Sequence, residues 1–322
     1  MTYLLTALRQ TIDSLRMVWL IYGMTLVLGL LVALPTYSMI QTEDQDSLAF
    51  LRLLDGFDYT VVTDFLSRSG GAVKALLGVV RWVNLTYLFL TIFLAGGILL
   101  RFAQLTGLPG QPVGTDSRFT VGAFWQGCSL YVGRMLGAFG VTLLFVVVSA
   151  VIWLLVGILL GAGLSDSYSE RGVFWLSAGA FTGFALTATL LLCIGDMAKV
   201  LLVRNDARGA FRAFGLAGRL VFRNLATTYG SYLLLIGIGT ALFGLYFGVE
   251  SLLGAGGWPG ILLLFLVQQA LIFARTGLKI WWLGTAWQAG EYLPRPVAPA
   301  PAPVLPEPLA PSPDDQPRPL AD

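Results

Sequence analysis

Long apolar stretches alternate with short polar segments along most of this chain. Six uncharged windows are each long enough for a helix that crosses about 30 Å of hydrocarbon, which takes about 20 residues. Bounded by charged residues, they run over 17–42, 82–100, 135–165, 172–195, 224–249 and 251–274. The pattern therefore predicts six transmembrane helices.

The last two windows are separated only by Glu250, so a turn must lie inside a nearly continuous apolar run. The segment 254–260, Gly-Ala-Gly-Gly-Trp-Pro-Gly, contains the residues that favour a turn. Pro259 suits the first turn of the helix that follows. We therefore expect two separate spans here.

An arginine-bearing amphipathic segment runs into a long apolar stretch three times. Residues 7–19 align without a gap with residues 210–222, which matches Arg16 to Arg219. A looser middle copy covers 123–135 and has two extra residues. Apolar residues at helical spacing with arginines between them are typical of helices lying in the membrane interface. We therefore predict an all-α, polytopic membrane helical bundle of three hairpins, each preceded by an interfacial amphipathic helix.

Composition agrees with a membrane protein. Of the 322 residues, 56% are hydrophobic and 12% are charged, about half the charged fraction of a soluble domain. The net charge of +2 predicts no strong attraction to nucleic acid. The two cysteines, Cys128 and Cys193, lie too far apart in sequence for a recognisable disulfide or zinc pattern.

The distribution of positive charge predicts the orientation. With both termini inside, the inner segments hold 15 of the 20 Lys and Arg residues and the outer segments hold 5. Cytoplasmic segments of membrane proteins carry such an excess. We therefore expect a multi-pass protein of the bacterial inner (cytoplasmic) membrane with both termini in the cytoplasm.

Two regions outside the spans have patterns of their own. Within the predicted membrane domain, 1–290, the outer segment of about 41–81 has apolar residues at helical spacing, which predicts a cap of short amphipathic helices. The tail, 291–322, is rich in Pro and Ala and is expected to be disordered and cytoplasmic.

Charged and polar residues in or near the spans are the first candidates for function, because burying them is costly without a partner. Asp196 and Lys199 lie three residues apart near the inner end of the fourth span, which predicts a local ion pair. A proton or ion relay is the alternative. Gln268 and Gln269 lie near the middle of the sixth span. We expect them to hold helices together by hydrogen bonds, with a polar patch along a substrate path as the alternative.

The basic inner segment carries three further candidates. Arg212, Arg219 and Arg223 interleave with apolar residues, which favours an interfacial helix whose arginines contact anionic lipid headgroups. A docking surface for a cytoplasmic protein partner, here or on the tail, is the alternative. Arg275 and Lys279 on the last span are expected to extend toward the inner headgroups.

No catalytic, cofactor or metal site is predicted. The chain has no histidine, no Gly-rich phosphate loop ending in Gly-Lys-Ser/Thr and no Gly-x-Ser-x-Gly motif. Gly-x-x-x-Gly pairs occur in the spans at about the frequency expected by chance, so they identify no helix contact. An enzyme is therefore disfavoured, including one that modifies lipids.

The segment 194–203, Ile-Gly-Asp-Met-Ala-Lys-Val-Leu-Leu-Val, runs into the basic helix that ends at Asn224. Together with the three amphipathic segments, it resembles families of uncharacterised bacterial six-span inner-membrane proteins, including those similar to the membrane domain of some glycerophosphodiester phosphodiesterases. The resemblance covers roughly residues 1–290 and implies the fold and topology; the phosphodiesterase domain itself is absent.

Two classes of function remain. The first is a non-catalytic scaffold or accessory membrane component that contacts membrane lipids and a protein partner. The alternative is a transporter or permease subunit that moves a small or amphipathic substrate. Same-direction repeats also occur in transporters, but the predicted spans carry few central ionisable groups.

Overall fold

The computed structural model describes residues 2–44, 59–106, 119–164, 170–204, 209–253 and 257–292. Over these residues the protein is all-helical, as predicted. The helices are α1 (Thr2–Asp13), α2 (Leu15–Asp44), α3 (Tyr59–Arg68), α4 (Gly70–Thr106), α5 (Val121–Leu164), α6 (Glu170–Arg204), α7 (Ala210–Arg223), α8 (Leu225–Leu252) and α9 (Trp258–Tyr292). Six of them are long and apolar enough to cross a membrane: α2, α4, α5, α6, α8 and α9.

The predicted division between the last two spans is confirmed. α8 ends at Leu252 and α9 begins at Trp258. Gly257 has φ of 97°, a left-handed conformation that favours glycine. Pro259 lies in the first turn of α9, where its missing N–H leaves no helical hydrogen bond unmade.

Several spans are longer than the uncharged windows. α4 begins at Gly70, whereas the window begins at Trp82, so the end of the predicted outer cap belongs to a long helix. α3 is one short helix of that cap, and residues 45–58 lie outside the described residues. The predicted tail beyond residue 292 also lies outside them.

Two of the three amphipathic segments form helices separate from the spans. α1 ends before Ser14, and α7 ends before Asn224, whose N–H donates to the carbonyl groups of Leu220 and Val221. The middle segment is different, because 123–135 is continuous with the third span in α5. Asp13-Ser14 and Asn224, at the two breaks, compete for backbone hydrogen bonds and favour helix ends, whereas the middle segment has a single such residue, Ser129, and no Asn, Asp or Pro.

The aligned segments 7–19 and 210–222 share part of their burial pattern. Thr11 in α1 and its aligned partner Phe214 in α7 are buried, whereas Arg16 at the start of α2 and its aligned partner Arg219 are exposed. The remaining buried residues of the two helices are Leu4 and Ala7 in α1, and Ala213, Ala217, Leu220 and Val221 in α7. Each helix therefore turns one apolar face toward the bundle.

One end of the bundle contains most of the hydrophobic core, and we call it the α1 end. α1 lies there against α9, and the Trp281 indole donates to the Leu4 carbonyl at 3.0 Å. Trp287 is almost fully buried, and its indole donates to the hydroxyl of Thr106 in α4 at 2.9 Å. The N-terminal helix and the C-terminal end of α9 therefore lie on the same side of the bundle.

The helices are exposed over much of the opposite half. Large apolar side chains such as Leu159 in α5 and Leu245 in α8 are more than 60% accessible, at 71% and 65%. Contact of so much apolar surface with water is unfavourable, whereas hydrocarbon solvates it. The distribution of exposed surface is that of a bundle surrounded by lipid.

Candidate functional site

The site begins at a close contact between two spans. A Cβ on Gly195 of α6 would collide with the side chain of Thr142 on α5, so glycine is required for the helices to approach this closely. The next residue, Asp196, lies on a different face of α6 and reaches α9. The contact with α5 thus fixes the rotation of α6 that presents Asp196 to the bundle interior.

Both oxygen atoms of the Asp196 carboxylate are engaged. The Lys199 ammonium donates to Oδ1 at 2.7 Å, and the indole of Trp282 on α9 donates to Oδ2 at 2.7 Å. Tyr232 of α8 packs edge-on against Trp282. The ion pair expected from the sequence is present, and it also joins α6 to α9.

Two cations of α9 lie one and two helical turns before Trp282. The Lys279 ammonium donates to the hydroxyl of Thr91 on α4 at 3.0 Å and lies 5.4 Å from the centre of the Tyr87 ring. The Arg275 guanidinium lies 5.5 Å from the centre of the Phe243 ring on α8. Both side chains contact neighbouring spans, and their extension toward inner headgroups stays a prediction.

These groups line a cavity of about 710 Å³, which we call the central cavity. α2, α4, α6, α8 and α9 all contribute to its wall. α6 contributes only Asp196 and Lys199, which lie toward the α1 end. The other charged lining residues are Arg275 and Lys279, and the rest of the lining is mostly aliphatic and aromatic, with several threonines.

Positive charge predominates in the central cavity. Among its lining residues three are cations and one, Asp196, is a carboxylate. Because Asp196 pairs with Lys199, its charge is largely compensated. Arg275 and Lys279 therefore give this part of the wall a net positive charge.

The central cavity separates α4 from α8. Both helices line it, yet they make little direct contact with each other, whereas each packs extensively against other spans. α6 and α9 each contact both helices and so connect α4 with α8 around the cavity. The cavity itself is partly open to the surroundings of the bundle.

A second, much smaller pocket of about 20 Å³ adjoins the central cavity. Thr228, Ser231 and Thr285 supply its hydroxyl groups. Its size suits about one water molecule. Asp196, Tyr232, Leu235 and Trp282 line both spaces, so the hydrogen-bonded pair Asp196–Trp282 and the Tyr232 ring form the wall between them.

The predicted glutamines lie elsewhere. Gln269 accepts a hydrogen bond of 2.7 Å from the Tyr22 hydroxyl, which joins α9 to α2. Gln268 is exposed. Neither residue lines the central cavity. The contact of Gln269 is of the interhelical kind expected from the sequence, and the alternative of a substrate path there gains no support.

The three candidate arginines of α7 also lie apart from the cavity. Arg212, Arg219 and Arg223 are all exposed, on the side of α7 opposite its buried residues. α7 itself packs mainly on α6 and α5. The structure therefore separates an exposed basic surface on α7 from the internal cations of α9.

Several residues of the site escaped the sequence analysis. Thr91, Tyr87 and Tyr232 lie inside uncharged windows and Trp282 lies beyond the last one, so the hydropathy pattern does not mark them. The one available signal was the spacing of Arg275 and Lys279, which places two cations four residues apart on one face of an otherwise apolar helix.

The six apolar helices define a multi-pass helical membrane protein. Comparisons with protein-family models, with curated proteins and with solved structures found no match. Its function is therefore inferred from the geometry of the central cavity.

Proposed function

We propose that this protein admits an amphipathic substrate to the central cavity and acts as a transporter or as a subunit of a permease. The cavity is the observation that carries the proposal. Its volume of about 710 Å³ lies within the usual range of small-molecule sites, about 300–1,000 Å³. Its charges lie together and its remaining wall is largely apolar, which matches the two parts of an amphiphile.

The proposal includes an orientation in the bacterial inner membrane, with the α1 end and both termini facing the cytoplasm. The excess of Lys and Arg in the segments of that end supports it. In this arrangement α1 and α7 are interfacial helices of a repeated hairpin. Support comes from their matched burial, with Arg16 and Arg219 both exposed where anionic headgroups would lie.

This orientation also locates the cavity relative to the boundaries of the hydrocarbon core. Trp258 is 83% exposed at the end of α9 away from α1, a suitable place for the outer interface. About 20 residues cross the hydrocarbon, so the inner boundary lies near Leu278. Lys279 is then at headgroup level, while Phe243 and Thr25 line a part of the cavity that lies within the hydrocarbon.

A non-catalytic scaffold is the second candidate. The exposed arginines of α7 favour it, because a basic surface beside the membrane suits either anionic lipids or an acidic protein partner. A scaffold, however, has no need of a charged internal cavity. We therefore rank transport of an amphiphile first.

Photochemical crosslinking in proteoliposomes tests the proposal. The probe is a short-chain phosphatidylcholine with a diazirine in its acyl chain, and crosslinked peptides are identified by mass spectrometry. Thr240→Trp narrows the cavity, because Thr240 is an exposed lining residue of α8. Leu233→Trp is the matched control on the same helix, since Leu233 is exposed but does not line the cavity.

We expect crosslinks on the cavity faces of α4 and α8 in the unmodified protein and in Leu233→Trp, and few in Thr240→Trp. Crosslinks spread evenly over lipid-facing surfaces, or unaffected by Thr240→Trp, would show that the cavity is not occupied. Movement of a fluorescent short-chain lipid between leaflets, measured by dithionite quenching, then distinguishes a transporter from a subunit that needs partners.

A further inference from the structure

We infer that the central cavity recognises a phosphate-type anion, held between Arg275 and Lys279 of α9 and Thr91 of α4. The inference deepens the proposed function and rests on it, since it names the group by which the substrate is held. The chemistry is that of a phosphate monoester or diester. It is shared by phospholipid headgroups and soluble phosphates.

The first reason is an unfavourable arrangement of charge. Arg275 and Lys279 lie four residues apart on α9 and both line the cavity, where like charges repel each other. Lys279 reaches toward α4 and Arg275 toward α8, on either side of the cavity. Near hydrocarbon this repulsion is stronger than in water, because the surroundings screen charge less well. An anion between the two cations would replace repulsion by attraction.

The second reason is that the nearby carboxylate is already used. Asp196 accepts hydrogen bonds from Lys199 and Trp282 at 2.7 Å, one on each oxygen. Among the described residues that line the cavity, Asp196 supplies the one carboxylate. The positive charge at Arg275 and Lys279 is therefore left for a ligand to neutralise.

The third reason is the set of donors at this place. The Thr91 hydroxyl accepts from Lys279 at 3.0 Å, which leaves its own proton to donate. The Arg275 guanidinium lies 5.5 Å from the centre of the Phe243 ring, and a cation–π contact of this kind does not itself use the N–H groups, which can donate to a ligand. Guanidinium, ammonium and hydroxyl groups together suit the several acceptor oxygens of a phosphate group.

The fourth reason is access. Arg275 and Lys279 are both exposed at the cavity wall although they lie inside the bundle. The cavity is partly open, so a headgroup can reach them while its acyl chain stays in hydrocarbon. The aliphatic part of the wall would contact the first segment of that chain.

Native mass spectrometry of the purified full chain in detergent tests the inference. The probes are dioctanoyl phosphatidylglycerol, dioctanoyl phosphatidylcholine and inorganic phosphate. Arg275→Gln/Lys279→Gln removes the two cavity cations of α9. Lys74→Gln/Arg81→Gln removes two exposed cations of α4 that do not line the cavity and is the matched control. Both single glutamine variants and the charge-preserving Arg275→Lys/Lys279→Arg are measured as well, so that a folding defect in the double variant cannot decide the result.

The unmodified protein is expected to bind phosphatidylglycerol at least about tenfold more tightly than phosphatidylcholine. Both lipids carry the same phosphodiester, but the quaternary ammonium of phosphatidylcholine is repelled by the two cations and offsets its phosphate charge. The preference should fall to about twofold or less without both cations, fall partway in each single variant, and persist in the α4 control and in the charge-preserving variant. Displacement of phosphatidylglycerol by inorganic phosphate would identify a soluble phosphate as the source. Failure of phosphate to displace it would identify a lipid headgroup.

An undiminished preference in both single variants and in the double variant would overturn the inference, as would equal loss in the α4 control. The proposed function would survive such a result if Thr240→Trp still excluded both lipids from the cavity. If Thr240→Trp left the binding of both lipids unchanged, the proposed function would fall as well.

Discussion

The Asp196–Lys199 pair should be energetically coupled, and the two substitutions should be unequal in effect. Asp196→Asn keeps an acceptor for the Trp282 indole but removes the charge that compensates Lys199. It also leaves Arg275 and Lys279 with no carboxylate among the residues lining the cavity. Lys199→Gln removes one of three cations instead and so relieves repulsion while it breaks the same pair.

The magnitude follows from the burial of the pair. The side chains of Lys199 and Asp196 are 20% and 19% exposed, and their charged atoms lie 2.7 Å apart. Breaking a fully buried pair costs about 3–5 kcal/mol, and an exposed pair contributes only about 0.2–1 kcal/mol. We therefore expect a loss of about 2–3 kcal/mol for Asp196→Asn and about 1 kcal/mol for Lys199→Gln. The double variant should be less destabilised than the sum.

The assay is unfolding in mixed micelles, in which sodium dodecyl sulfate is added to protein in dodecylmaltoside and helix content is followed by circular dichroism. A double-mutant cycle of the free energies of unfolding gives the coupling directly. A coupling below about 0.5 kcal/mol would mean that the pair behaves as a surface pair. A larger loss for Lys199→Gln than for Asp196→Asn would refute the described balance of charge in the cavity.

Two further predictions concern packing and use the same assay. Trp287→Ala should lower the free energy of unfolding by about 3–5 kcal/mol, because the Trp287 side chain is only 1% exposed. The control Trp258→Ala should change it by less than about 1 kcal/mol, because Trp258 is 83% exposed. Similar losses in the two variants would contradict the placement of the core at the α1 end. Gly97→Val should lower the free energy of unfolding by about 1–3 kcal/mol, because a Cβ at Gly97 would lie 2.6 Å from the sulfur of Cys128. Gly133→Val should be tolerated, because a Cβ at Gly133 would meet nothing within 4 Å.

The spans and the ion pair could be predicted because they depend on local sequence. The hydrocarbon thickness fixes the length of an apolar window, and the rise of the helix places Asp196 and Lys199 on one face. The break between α8 and α9 was equally local, since Gly257 and Pro259 favour that turn. The middle amphipathic segment was wrongly expected to be a separate helix, because composition at 123–135 cannot show whether helical hydrogen bonding continues into the span.

The central cavity could not be predicted, because five helices far apart in sequence line it. The sequence of α9 alone suggests only that Lys279 extends toward the headgroups. The packing of α4 against α9 is needed to show that Thr91 is its partner. Helix contacts were equally hidden. The close approach of α4 to α5 uses Gly97 and Gly127, whereas Gly133 and Gly244, both in Gly-x-x-x-Gly pairs, have open space beside them.

The contrast between the two basic regions supports a functional role for the inner one. The arginines of α7 are exposed on the side of that helix opposite its buried residues. Arg275 and Lys279 are exposed too, but at the wall of the central cavity, against rings and a hydroxyl group, with their charge uncompensated by Asp196. Glutamine or leucine at those two positions would pack on the same rings without the repulsion between like charges. The bundle therefore gains no stability from two cations at this place, and an anionic ligand supplies the reason for them that packing does not.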